Sequence, residues 1–198
     1  MTKGVITGQI TSGSDHWWDD LTAFDTFTGV NGSAVNSALW DTAVTLDGAL
    51  NIQSNAARLD SSSSSCNPLG SATLTLKTAL TTGKIIMLMT TTYFKNSGSP
   101  YTDYGHIIYQ VGNDTDGWTE VYKILLNPNG DSVIVTAAYS PSFEAIYAGS
   151  NQWDIIIGGN PQSTVTKANG LKTRIIAYSE GASSIDTVQI SVNTVYIE

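Results

Sequence analysis

Apolar and polar residues alternate at period two along most of this chain, which is the mark of a strand with one buried face. Ser71 to Leu76 shows it cleanly at Ala72, Leu74 and Leu76, and further strands are predicted at Ala43 to Leu46, Ala49 to Gln53 and Ala56 to Leu59. Lys84 to Phe94 breaks the alternation: Ile85-Ile86-Met87-Leu88-Met89 is a continuous apolar run, as in a strand buried on both faces, and it predicts a central place in a sheet. The pattern resumes at His106 to Val111, Trp118 to Leu126, Ser132 to Ala138, Ala145 to Ala148, Trp153 to Ile157, Leu171 to Tyr178, Asp186 to Ile190 and Asn193 to Ile197. Near the start, Phe24, Thr26 and Thr28 alternate as an opening strand, and Asp47-Gly48 between short apolar runs is a hairpin signal.

The rest of the chain is punctuation. Gly112 to Gly117 and Asn127 to Asp131 carry the Gly, Asn and Asp of tight turns, and Ser61 to Ser65 reads as a flexible serine loop. Thr2 to Gly13 is an extended arm or edge strand. Ser14 is placed as the N-cap of about two helical turns over Asp15 to Leu21. A dozen strands, turn signals about every ten residues and no long helix predict an all-β, two-sheet antiparallel sandwich or jelly roll. No fixed-period repeat argues for a propeller or solenoid. A length of 198 residues suits one core, so the expected organisation is an N-terminal arm over 1–23, a possible assembly segment, and a sandwich domain over 24–198.

Composition narrows the function classes. Charged residues make up only 13% of the chain, with Ser, Thr, Asn and Gly in their place, a surface solvated by hydroxyls and amides. The formal net charge is −8, so phosphate backbones and anionic lipids are repelled and neither nucleic acid nor membrane is an expected partner. The single Cys66 excludes an intrachain disulfide. Met1 to Gly8 has no apolar signal-peptide core. An extracellular style of composition without a signal fits a bacteriophage virion component released by lysis, and it also fits a mature domain without its leader.

The chemistry-bearing residues point to recognition more than catalysis. Sugars are bound by flat aromatic faces beside amides and carboxylates on accessible loops, and Tyr101, Asp103, Tyr104, Trp118, Tyr139 and Trp153 supply those types. Trp118 and Trp153, both at strand starts, are more readily read as core anchors. Trp17 and Trp18 either cover an end of the sandwich or anchor the arm to a neighbouring subunit, since Trp is enriched in interface hot spots. His16 and His106 are too few for a histidine zinc site. Asp114-x-Asp116-Gly117 opens like a calcium loop but has Trp118 where a fifth-position ligand belongs.

The order Asp25-x-Phe27, a Gly29 to Ser33 loop, Trp40, and a hairpin whose second strand reads Ala49-Leu50-Asn51-Ile52 resembles the opening of concanavalin A-like (laminin-G-like) jelly-roll modules. The likeness spans Phe24 to Glu198, with motif similarity in the opening and the last strand. It implies that fold, and glycan binding, since many such modules bind glycans and some are appended to phage fibres or secreted glycosidases. It also implies a calcium joining Asp25 to the last strand, where Asn193 stands in place of the usual Asp and weakens the site. Glucanases of this fold need two glutamates facing one cleft, about 5 Å apart. The four here, Glu120, Glu144, Glu180 and Glu198, are far apart in sequence, and Tyr104-Gly105-His106 lacks the Gln of an alginate-lyase strand. The leading expectation is therefore a non-enzymatic phage virion surface protein of head-fibre, decoration or tail-fibre type. It would bind cell-surface polysaccharide or other glycans and, as a homo-oligomer, contact other virion proteins. The alternatives are a carbohydrate-binding module of a secreted bacterial enzyme, and a polysaccharide lyase or hydrolase.

Overall fold

The computed structural model describes residues 21–46, 48–63, 70–95, 104–126, 134–137, 142–180 and 186–198. These form thirteen strands: β1 (Trp40–Thr45), β2 (Gly48–Ile52), β3 (Ala57–Ser63), β4 (Gly70–Leu76), β5 (Lys84–Lys95), β6 (Tyr104–Asn113), β7 (Gly117–Leu126), β8 (Ile134–Ala137), β9 (Ser142–Gly149), β10 (Gln152–Ile157), β11 (Asn160–Thr166), β12 (Lys172–Glu180) and β13 (Asp186–Ile197). There is no helix among the described residues. The segment of the expected Ser14 helix, with Trp17 and Trp18, lies outside them.

The strands build two antiparallel sheets. The smaller has the order β1-β4-β12-β6-β7, and the larger runs β11-β10-β9-β5-β13-β3-β2 with β8 paired to the end of β5. The alternation turns one face of each sheet inward. These faces close on one core that includes Trp40, Leu74, Ile85, Met87, Tyr109, Phe143, Trp153 and Ile175, with Val188, Ile190 and Val192 along β13. Tyr109 of the small sheet lies parallel to Phe143 of the large one, with ring centroids 6.0 Å apart and planes 6° apart, so the layers touch through aromatic faces. As its apolar run predicts, β5 is central, and Ile85, Ile86 and Met87 are all buried.

Five expectations need correction. Phe24 to Thr28 is not a strand: Asp25 makes one bridge to Val195, and its Oδ1 accepts the Phe27 N–H at 2.8 Å, turning the chain so that Phe27 takes a left-handed φ of 50°. Gly48 does not close a hairpin. β1 and β2 belong to different sheets, and the chain between them is a corner, with Leu46 at a φ of 49°. Gly48 presses so closely on β4 that a Cβ there would lie 2.0 Å from the Ser71 carbonyl oxygen. The serine run is not all loop, because β3 continues to Ser63 and the buried Ser61 hydroxyl donates to the Gly70 carbonyl at 2.5 Å. The two last strands are one, β13, whose register against β5 shifts between Val192 and Thr194 and places Asn193 at the irregularity. β11, finally, has no counterpart among the predicted strands.

Candidate functional site

The outer face of the small sheet is built around β6. Ile107, Tyr109 and Val111 point into the core, so His106, Ile108, Gln110 and Gly112 face outward. The same reasoning on β12, where Thr173, Ile175 and Ala177 are buried, turns Lys172, Arg174, Ile176 and Tyr178 outward. Register sets these side chains in rows: Tyr178 opposite His106, Ile176 opposite Ile108, Arg174 opposite Gln110 and Lys172 opposite Gly112. On β7 an irregularity facing Tyr109/Gln110 skips Val121, which re-phases the strand so that Lys123, Glu120 and Trp118 extend the rows of Ile108, Gln110 and Gly112.

Gly112 leaves a bare position between β12 and β7, and its Cβ would collide with the Gly117 carbonyl oxygen at 2.2 Å. Across it the Arg174 guanidinium lies 4.0 Å from the ring centroid of half-buried Trp118, a cation–π contact. Arg174 Nε also donates to Gln110 Oε1 at 2.5 Å. Burial pushes the guanidinium below its usual pKa while Asp114 raises it, and an arginine stays charged throughout. At the far end of the face the rings of His106 and Tyr178 are 5.6 Å apart, and His106, though it points away from the core, is buried. From Lys172 to Tyr178 the strip is about 20 Å long, from the rise of a strand.

A polar latch holds the Trp118 end. Asn113 Oδ1 accepts the N–H groups of Thr115 and Asp116 at 2.9 and 2.6 Å, which closes the β6–β7 turn, and Asn113 Nδ2 donates to the Gly170 carbonyl at 2.6 Å. Asp116 accepts the Asn169 N–H at 2.8 Å and the Asn169 amide Nδ2 at 2.6 Å. The Asn169 backbone bond, then the Asn113 and Asn169 side chains and the charge of Lys167, hold the Asp116 carboxyl below its ordinary pKa of 3.8. The buried Lys167 ammonium donates to the Gly117 carbonyl at 2.7 Å and to Thr119 Oγ1 at 3.0 Å. The turn that reads like a calcium loop is thus tied to protein donors.

The residues singled out by sequence fall in different places. Trp118 lies on this face. Trp153 is 0% exposed and packs edge-on against Tyr147 at 5.2 Å, so it is a core anchor and not a sugar platform. Tyr104 begins β6 opposite Glu180, at the His106 end. Tyr101, Asp103 and Tyr139 lie outside the described residues. Of the residues expected at a metal site, Asn193 lies at the β13 irregularity, and Asp25 makes two protein contacts: Oδ1 accepts the Phe27 N–H at 2.8 Å and Oδ2 accepts the Trp40 indole N–H at 2.7 Å. Among the described residues no group of three or more His, Cys, Asp or Glu could hold a metal ion. Arg174, Gln110, Lys172 and Lys123 are not among the residues that the sequence singles out, although the outward set Lys172-x-Arg174-x-Ile176-x-Tyr178 follows from the same alternation that marks the strand.

No protein-family model matches the sequence, and no curated protein matches it. Solved structures do match in fold. Bacillus licheniformis beta-glucanase superposes with a TM-score of 0.54 at 14% identity, over 87% of this chain and 95% of its own. The metal-free carbohydrate recognition domain of Emp46p gives 0.48 at 7% identity, over 88% and 95%. A legume lectin-like domain from Entamoeba histolytica gives 0.43 at 10% identity, over 81% and 90%. The glucanase superposition carries the conclusion on architecture, together with the two antiparallel sheets: the chain has the concanavalin A-like jelly-roll fold.

Proposed function

We propose that this chain is a non-enzymatic glycan-binding sandwich whose ligand lies along the outer face of β6, β7 and β12. The observation that carries the reading is the half-buried Trp118 beside Arg174 and Gln110, an aromatic surface next to a charged donor and an amide on rigid strands. A sugar ring offers apolar C–H faces and a rim of hydroxyls, and such a surface matches both. The beta-glucanase that shares the fold is named for action on a glycan, which adds support of a general kind.

Binding without turnover is supported by where the acids lie. Glu120 and Glu180 share the small sheet but lie six residues apart along β6, opposite Gln110 and Tyr104, about 20 Å by the rise of a strand. Glu144 is on the large sheet and Glu198 pairs with Lys84 at 2.7 Å, whereas acid and nucleophile must face one another across a single bond. The low charge and amide-rich surface support display outside the cell or on a phage virion, with residues 1–23 as the attachment arm of a homo-oligomer. A glycan array followed by calorimetry with Trp118→Ala tests the site. The expected result is at least tenfold weaker binding by a variant that still folds, and wild-type affinity in the variant overturns the placement. New reducing or unsaturated sugar ends on incubation with a bound polysaccharide would overturn the non-enzymatic reading. Deleting residues 1–20 is expected to dissociate the oligomer while leaving sugar affinity intact.

A further inference from the structure

We infer that the ligand of this face is an anionic glycan, one bearing carboxylate or sulfate groups. The inference rests on the proposed glycan site and names its substrate class.

The chain has nine Lys and Arg against seventeen Asp and Glu, yet three of those nine, Lys123, Lys172 and Arg174, stand on the outer face of two strands that flank β6. By the rise of a strand, the Lys172 and Lys123 rows are about 13 Å apart, with Arg174 between them. Among the described residues only Lys172 of the three has a carboxylate within ion-pair distance, exposed Asp114 at 3.6 Å, whose charge also acts on Arg174.

Arg174 is the centre of the argument. Its Nε is taken by Gln110 and one face of its plane by Trp118, so the fork is held in one orientation before any ligand arrives. Its Nη groups have no hydrogen-bond partner among the described residues. A guanidinium held this way has lost its rotamer freedom in advance and presents two parallel N–H donors, the geometry that a carboxylate or sulfate accepts in bidentate fashion. A neutral hydroxyl uses only one of those donors and none of the charge. Two carboxylates share the face, Glu120 in the Gln110 row and Asp114 beside Lys172, so the three cations outnumber them by one locally. The acidity of the rest of the surface counts for less, because at physiological ionic strength charges beyond about 8 Å are largely screened.

The test is calorimetric titration of the full chain with oligogalacturonate, a sulfated galactan oligosaccharide and a neutral glucan oligosaccharide of matched length. The expected result is that one or both anionic probes bind at least tenfold more tightly than the neutral one, and that raising the salt weakens them. The arms tell a uronate ligand from a sulfate one. Arg174→Lys keeps the charge but loses the fork, and is expected to weaken anionic binding at least tenfold. Lys123→Ala, an exposed change, is expected to weaken it severalfold with unaltered melting. Binding of the neutral probe as tightly as the anionic ones overturns this inference and leaves the glycan site standing. Failure of all three probes to bind overturns both.

Discussion

Asp25 Oδ2 accepts the indole N–H of Trp40 at 2.7 Å, while the other oxygen of the same carboxylate caps the Phe27 N–H at 2.8 Å. Trp40 is 1% exposed and is flanked by Phe24 and Phe27, with ring centroids 6.4 and 5.5 Å away. Leaving a buried donor unpaired costs about 1–3 kcal/mol, more when the lost acceptor is charged. Asp25→Ala should therefore destabilise the sandwich by about 2 kcal/mol or more, and Asp25→Asn by less, measured as denaturant midpoints. Because both oxygens hold protein donors, a chelator should leave the wild-type midpoint unchanged. A chelator-sensitive midpoint would instead support a metal at Asp25.

The latch between the β6–β7 turn and the β11–β12 loop should give acid sensitivity. Asp116 has its folded pKa held below 3.8, so its contribution to stability is present above that ordinary value and is lost as the pH falls below it toward the folded value. Melting temperature measured from neutral pH down to pH ~3 should drop less steeply in Asp116→Ala than in the wild type, and the variant should melt lower at neutral pH. Parallel acid profiles would show that the latch contributes nothing.

The two tryptophans at strand starts should separate by phenotype. Trp153 is fully buried, and its Nε1 has no hydrogen-bond partner among the described residues, so Trp153→Phe loses volume but no polar contact. Its glycan affinity should stay within twofold of wild type, whereas Trp153→Ala should cost about 3–5 kcal/mol of stability, the usual range for a large aromatic in a core. A binding defect in a stably folded Trp153→Phe would return that residue to the site.

Gly48 should not tolerate a side chain. A methyl group at 2.0 Å from the Ser71 oxygen must push β2 away from β4, and overpacking of this kind costs about 1–3 kcal/mol. Chemical denaturation of Gly48→Ala should show that loss, and wild-type stability would mean that the corner yields freely.

The sequence is legible where its signals are local. Alternation at Ala72, Leu74 and Leu76 or the unbroken run Ile85 to Met89 marks a strand, and even its depth in the sheet, from a short window. Sheet membership is not local: Asp-Gly suits a hairpin and a corner alike, and what decides at Gly48 is a carbonyl at Ser71, on another strand. β11 escapes the pattern because it is an exposed edge strand. It carries Pro161 at an irregularity opposite Ile156, and only Val165 packs toward the core. The candidate site is half visible for a similar reason. Trp118 stands out by residue type, but its partner Arg174 is 56 positions away and meets it only through the register of β12 on β6 and the missing side chain of Gly112.

The place of β13 bears on how the sandwich assembles. It pairs with β5 on one side and β3 on the other, so β11-β10-β9-β5 and β3-β2 become a single sheet only when residues 186–197 insert between them. Until that insertion, a nascent or partly unfolded chain presents two open strand edges to any neighbouring copy, one of them along the apolar run of β5. Closing so distant a pairing is slow, and sequestering those edges is the step at which productive folding of this chain competes with aggregation.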